Sequence, residues 1–432
     1  MAVDFSIEPE FQERLDWVNR FVRDDVEPLD VLFPGCEFLP LDDTRRAVVD
    51  PLKQQVRDHG LWACHLGPEL GGQGYGAVRL TLINEILGRS GWSPIVFGTQ
   101  APDTGNAEIL ARFGTEGQRA RYLQPLLDGE IFSCFSMTEP QGGSDPALFT
   151  TRATRDGDEW VIDGTKYFSS NATVATFLIV MAVTDPDVAV HRGTSMFLVP
   201  ADTPGIEMDA VHHLYGSAGH EPGHALVRYE RVRVPAEAML GDEGRGFAVA
   251  QSRLSGGRIH HAMRTIGMCQ RALDMLCERA LSRTTRDGRL ADKQFVQGFA
   301  ADSYAQLLQF RLTVLHTAWL IDQGDEQAAI TGIGVLKTLI PKVLHDIVGR
   351  TIQVHGALGI TSELPLMGWL TASYALGLAD GPTEVHRSNL ARHVLAGHEA
   401  TDRPWPTEFR DYRREQAIER YGDQLGDDFG PP

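Results

Sequence analysis

The chain has 432 residues, two to four times the ~100–200 residues of a typical domain, so several domains and a substantial core are expected. Hydrophobic residues make up 42% and charged residues 23%, an ordinary globular mix that excludes disordered, collagenous and fibrous classes. The formal net charge is −18, from 58 acidic and 40 basic side chains; it argues against a general nucleic-acid or anionic-membrane partner and requires a local basic pocket for any anionic ligand.

The N-terminus, Met-Ala-Val-Asp-Phe, lacks the basic and apolar regions of a signal peptide, and no run approaches the ~18 consecutive apolar residues of a membrane span. Residues 1–130 then read as an all-α domain, with helical periodicity over 14–26, 52–59, 79–90 and 107–127 broken by Gly and Pro clusters. Residues 131–245 read as a β-domain: 159–168 as a hairpin turning on Asp163-Gly164, and 176–183, 195–199 and 225–234 as short strands. Residues 246–400 return to helical period over 258–284, 291–323, 327–358 and 382–396, a four-helix bundle. Its third helix is apolar on almost every side (Val343, Leu344, Ile347, Val348, Ile352, Val354), which suits a central or interfacial position. Residues 401–432 read as a polar tail. Five cysteines, an odd number with no C-x-x-C pair, fit a reducing, cytoplasmic setting.

Two motifs fail on local grounds. His220-Glu-Pro-Gly-His224 matches H-E-x-x-H, but Pro222 and Gly223 break the helix that would align two zinc-binding imidazoles, so no metal is expected. Gly71-Gly-Gln-Gly-Tyr-Gly76 lacks the G-x-G-x-x-G register and the preceding strand of a dinucleotide loop and reads as a turn.

The chemistry gathers at Phe132-Ser-Cys-Phe-Ser-Met-Thr-Glu-Pro-Gln-Gly-Gly-Ser-Asp145. Glycines here allow close backbone approach to a planar ligand, and Thr138 and Ser144 offer hydroxyls. This stretch resembles the flavin-contact signature of the acyl-CoA dehydrogenase family, and the resemblance extends from Phe11 to about Leu395. It implies an α+β, mainly α fold of N-terminal helical domain, central β-domain and C-terminal four-helix bundle, with FAD as cofactor. Phe135, Met137, Thr138, Gly143 and Ser144 are the implied flavin contacts, Ser144 also touching substrate. Lys166-Tyr-Phe-Ser-Ser-Asn171 is similar to the family's K-x-W-I-T-N, giving Phe168 and Ser170 to the flavin. Arg283, Thr285 and Gln294 fall where the family reaches the ADP portion across a subunit interface, although its Phe-Gly pair is Arg286-Asp287 here. Gln353-Val-His-Gly356-Ala-Leu-Gly is similar to the Q-x-x-G-G-x-G turn, with Ala357 for a glycine, and Gln353 and Gly356 are its implied cofactor contacts.

Asp380-Gly-Pro-Thr-Glu-Val-His386 occupies the place of the family's E-G-T segment, so the resemblance makes Asp380 the catalytic base, Gly381 and Arg258 substrate contacts, and Thr383 and Glu384 cofactor contacts. In part of the family the carboxylate comes from a helix position that is Gly257 here. A capping role competes: with Pro382 as first helical residue, Gly381 is the cap and Asp380 lies one residue outside. An exposed Asp titrates near ~3.9, too low for an α-proton, so the pocket is expected to raise its proton affinity once substrate binds. Asp103 reads as a turn former or a partner for a substrate hydroxyl; His260 and His261 read as packed or pocket-lining residues.

The D-G-P-x-E-V-H segment, with Gly257-Arg-Ile-His-His-Ala-Met-Arg264 and Gln100-Ala-Pro-Asp-Thr-Gly-Asn106, resembles the branch of family members ten and eleven. The implied activity is α,β-dehydrogenation of an acyl-CoA in fatty-acid β-oxidation, with medium to long, branched or 4-hydroxylated esters as substrates. An electron-transfer flavoprotein as acceptor and a homodimer or homotetramer complete the expectation. A flavin oxidase of the same fold, acting on nitroalkanes or acyl-CoA, and a non-catalytic flavin-binding scaffold are the alternatives.

Overall fold

The computed structural model describes residues 6–37, 39–68, 72–214 and 223–424. Residues 1–387 form one compact unit and 388–432 a second. Gly71, His220, Glu221, Pro222 and the end of the tail lie outside the described residues.

The N-terminal region is helical: α1 (Pro9–Phe21), α2 (Asp43–Asp58), α3 (Ala77–Leu87) and α4 (Asp103–Phe113). On α1, Phe11, Leu15, Val18 and Phe21 recur at helical spacing and are buried. The N-terminus of α3 follows the glycine turn, and the Asp322 carboxylate accepts from Ala77 N (2.6 Å) and Val78 N (2.9 Å). A protein carboxylate thus takes the helix-end donors that a phosphate would need.

The middle region is a sheet of β1 (Ser133–Ser136), β2 (Arg152–Asp156), β3 (Glu159–Ser170), β4 (Phe177–Val183), β5 (Thr194–Pro200), β6 (Ile206–His212), β7 (His224–Pro235) and β8 (Met239–Leu240). The strand order is β6-β7-β3-β2-β4-β5-β8, with β1 parallel to β4. Asp163-Gly164 is not the hairpin turn. The turn is Gly157-Asp158, joining Asp156 and Glu159, while β3 runs on through 163–164. The Asp-Gly pair marks a register shift against β7, where Gly164 has φ +149° and a Cβ would clash with Thr151 Oγ1. The His224 end of the H-E-x-x-H match begins β7.

The C-terminal helices are α5 (Gly246–Ser282), α6 (Gln294–Asp322), α7 (Glu326–His355), α8 (Leu366–Leu378) and α9 (Thr383–Ala396), with a short hairpin of β9 (Thr284–Thr285) and β10 (Gly288–Arg289) between α5 and α6. By length and composition, residues 326–360 could cross a membrane, which the count of consecutive apolar residues did not anticipate. In the fold α7 packs against α5, α6 and α8, burying Val343, Leu344, Ile347 and Val348. The polar tail contains a helix the sequence reading did not expect, α10 (Arg410–Tyr421), which buries no residue. Arg403 Nη1 pairs with Glu415 Oε2 at 2.9 Å within that second unit.

Candidate active site

The turn from α8 into α9 carries Asp380. Two consecutive residues are left-handed, Asp380 with φ +56° and Gly381 with φ +96°, and for a non-glycine residue this costs roughly 1–2 kcal/mol. Hydrogen bonds from three helices hold the turn in that shape. Arg258 Nε on α5 donates to the Asp380 carbonyl (2.9 Å), and His386 Nε2 on α9 lies 3.3 Å from the same oxygen. Lys337 on α7, fully buried, donates its ammonium to the Leu376 (2.7 Å) and Ala379 (2.6 Å) carbonyls. Thr383 Oγ1 donates to the Gly377 carbonyl at 3.1 Å.

The cations therefore grip the backbone and leave the Asp380 carboxylate turned toward α5. There its Oδ2 lies 3.5 Å from His261 Nε2 and 3.0 Å from where a Cβ on Gly257 would stand. Burial pushes the Asp380 carboxyl up, but His261, Arg253 and Arg258 outweigh it and hold the group well below the usual carboxylate range. Within the protein itself these three side chains outweigh the burial of one acid; the expected rise concerns the substrate-bound site. Burial also lowers Lys337, to about 8, against the pull of Asp380. The capping alternative is corrected too: α9 starts at Thr383, so Pro382 precedes the helix and Asp380 is further from it than expected.

Helix α5 begins at Gly246, not near 258, and runs through Gly256-Gly257. Glycine pairs inside helices cost stability, and the contacts explain the exception. A Cβ on Gly256 would meet Glu108 Oε2 at 2.7 Å, so both glycines make room for carboxylates on opposing elements.

The loop after β1 is pinned from below. Glu139 and Lys166 are fully buried and pair at 2.8 Å. Lys166 Nζ also donates to the Met137 carbonyl (2.8 Å), and the Glu139 carboxylate accepts from Thr150 N (2.7 Å), Thr151 N (3.0 Å) and Gln141 Nε2. Burial would raise Glu139, but the Lys166 charge and these donors bring it down to about 2. On the upper side Ser144 is exposed, and Gly143 (φ +51°) has open space where a Cβ would point. Phe135 is covered by the Arg253 guanidinium, 4.1 Å from the ring centroid. Phe168 takes φ +54° and is 53% exposed, a strained aromatic whose ring rests on that of Tyr167, 4.0 Å between centroids, with its other side open. Ser170 Oγ lies 2.8 Å from His224 Nδ1. An open glycine, exposed hydroxyl and presented ring suit a flat aromatic ligand, so this part of the site fits a flavin.

The remaining cofactor candidates lie elsewhere. Arg283, Thr285 and Gln294 are exposed around the hairpin after α5, ~37 Å along that helix from Arg258 at 1.5 Å per residue. Gln353 and Gly356 are exposed at the end of α7, Gly356 with φ +65° and open space around it. Glu384 is exposed in the first turn of α9, but Thr383 is buried with its hydroxyl engaged by Gly377, which leaves its backbone to meet a cofactor. Asp103 is not in a turn: it opens α4, is buried, and accepts from Ser133 N (2.9 Å) and Ser133 Oγ. Burial pushes it up to about 6. His260 turns away from Asp380, its ring 6.2 Å from that of His65. Among the described residues no group of His, Cys, Asp and Glu is arranged to hold a metal.

Glu139 and Lys337 escaped the sequence reading. A lysine inside an apolar helix and an acid before a proline were the available signals, but neither identifies its partner.

Sequence profiles of the acyl-CoA dehydrogenase N-terminal, middle and C-terminal domains match residues 8–130, 134–232 and 244–395. A probable acyl-CoA dehydrogenase, FadE2 of Mycobacterium tuberculosis, is 41% identical over 371 residues, 84% of this chain and 89% of FadE2. Acyl-CoA dehydrogenase family member 10 of Mus musculus is 35% identical over 92% of this chain but only 38% of its own length. A Mycobacterium abscessus protein, solved as a candidate acyl-CoA dehydrogenase, aligns with TM-score 0.84 at 37% identity, covering 91% of this chain and all of that one. The fold and relatives define a flavoprotein oxidoreductase class. The chain belongs to the acyl-CoA dehydrogenase family.

Proposed function

We propose that the protein is an FAD-dependent acyl-CoA dehydrogenase in which Asp380 removes the α-proton of an acyl-CoA thioester to give the trans-2-enoyl-CoA. The observation that carries this is the Asp380 turn: a strained backbone fixed by Arg258, Lys337 and His386, with the carboxylate left available. When bound, FAD supplies the acceptor for the β-hydride at its N5. Gly143, Ser144, Phe168 and Ser170 would hold its ring, with Phe135 and Met137 beneath and the Thr138 hydroxyl beside them. Arg258 and the Gly381 backbone would meet the substrate. The exposed Arg283, Thr285 and Gln294 would serve the ADP portion of a second copy's cofactor, which makes the active form a homodimer or a pair of dimers. Gln353, Gly356, Thr383 and Glu384 belong to the same cofactor assignment. Electron-transfer flavoprotein as acceptor, fatty-acid β-oxidation and a reducing cytoplasm complete the reading, the last supported by five unpaired cysteines.

The test is anaerobic bleaching of the bound flavin by a panel of acyl-CoA esters, with Asp380→Asn beside wild type. Bleaching is expected in the wild type and lost in the variant; unchanged bleaching by Asp380→Asn sinks the assignment of the base.

A further inference from the structure

Arg253 and Arg258 favour the ionised form of the Asp380 carboxylate, and a proton taken from carbon needs a better resting place than a carboxylate so placed. The imidazole of His261 is the side chain in ion-pair range of Asp380 Oδ2 among the described residues, with Nε2 at 3.5 Å. Gly257 lies one helical turn before it on the same face of α5, so α5 both brings the ring to the carboxylate and leaves the space for their meeting.

We propose that Asp380 and His261 work as a pair, Asp380 taking the α-proton and His261 then holding it, so that His261 is a positioning residue for the dehydrogenation. This rests on Asp380 being the base. The α C–H bond breaks and its electron pair enters the new Cα=Cβ bond as the β-hydride departs to the flavin. The proton bonds to a carboxylate oxygen and passes to Nε2, leaving imidazolium beside carboxylate. The His261 side chain is 29% exposed against 16% for Asp380, so the ring is also the pair's opening toward solvent, through which the proton leaves.

The groups facing the pair are Arg253 and Arg258 on α5, Lys337 on α7 and His386 on α9. His260, adjacent on α5, faces His65 and is kept uncharged, its proton affinity lowered by burial. The arginines and Lys337 disfavour further positive charge beside the pair.

The pH dependence of flavin reduction by an acyl-CoA ester separates this from a packing role, using wild type, His261→Gln and His261→Ala, with bound-flavin content reporting the fold. Gln can hold Asp380 but cannot take a proton. It is expected to keep the flavin, slow reduction at neutral pH by ~10²-fold and shift the acid limb of the profile to lower pH, because Asp380 alone loses its proton more readily than the pair. The Ala enzyme is expected to recover activity with added imidazole. A slowed Gln enzyme with an unmoved limb, or one of wild-type rate, overturns the pair while Asp380 stands as the base. Undiminished bleaching by Asp380→Asn overturns both.

Discussion

Glu139 and Asp380 are both acids enclosed beside cations, and they are treated in opposite ways. Glu139 is saturated: an ammonium, two backbone N–H groups and a side-chain amide occupy its oxygens. Around Asp380 the donors from Arg258 and Lys337 go to backbone carbonyls, at residues 376, 379 and 380, and the carboxylate keeps one loose neighbour at 3.5 Å. The first arrangement builds a scaffold under the loop after β1. The second fixes where a carboxylate stands without using up its lone pairs, which is what a proton acceptor requires.

Substitutions can break this contrast. The largest effect is expected from Asp380→Asn, which should slow flavin reduction by ~10²–10⁴-fold with flavin content retained, as measured by stopped-flow absorbance. Glu139→Gln should act on stability instead, costing about 3–5 kcal/mol by leaving Lys166 buried without its counterion, read from denaturant unfolding. The same pair predicts acid lability. Glu139 has its folded pKa held below the 4.5 of the free group, so its contribution is full above that pH and is lost as pH falls toward about 2. Unfolding scans in this window should be steep for wild type and flattened for Glu139→Gln. Lys337→Met sits between the two regimes: two orphaned helix-end carbonyls cost about 1–3 kcal/mol each, and the loosened turn should lower turnover as well. The smallest effect is expected for Gly257→Ala. Helix propensity favours it by ~1 kcal/mol, whereas its Cβ would press on Asp380 at 3.0 Å, so stability should hold while turnover falls several-fold.

Much of the fold was legible because helical period and β-rich runs are local. The failures came where a distant partner decided the outcome. Asp163-Gly164 has the composition of a turn, yet its pairing with β7 makes it a bulge. The helical period was read only from 258, yet α5 runs through Gly256-Gly257, where Glu108 and Asp380 supply the reason for a helix without side chains. Within the site, Asp380, Phe168 and Gly143 stood in a resemblance that short motifs carry. Lys337 and Glu139 did not, since their partners lie 42 and 27 residues away. The basic side chains around Asp380 were equally hidden, because Arg253 and Arg258 on α5 and Lys337 on α7 are far from it in sequence.

The contact between Asp380 Oδ2 and the Cβ position of Gly257 has an implication for how such a site changes over time. Helix α5 and the Asp380 turn address one volume, so an acid can be delivered to it from either backbone but not from both. Asp380→Gly alone leaves the volume empty of any acid, and Gly257→Glu alone crowds two acids into it. With Asp380 as the proposed base, moving the acid from one backbone to the other calls for paired replacement, and each single step toward it is expected to disable the enzyme. The double substitution Gly257→Glu with Asp380→Gly, more active than either single change, would be the signature of that shared volume.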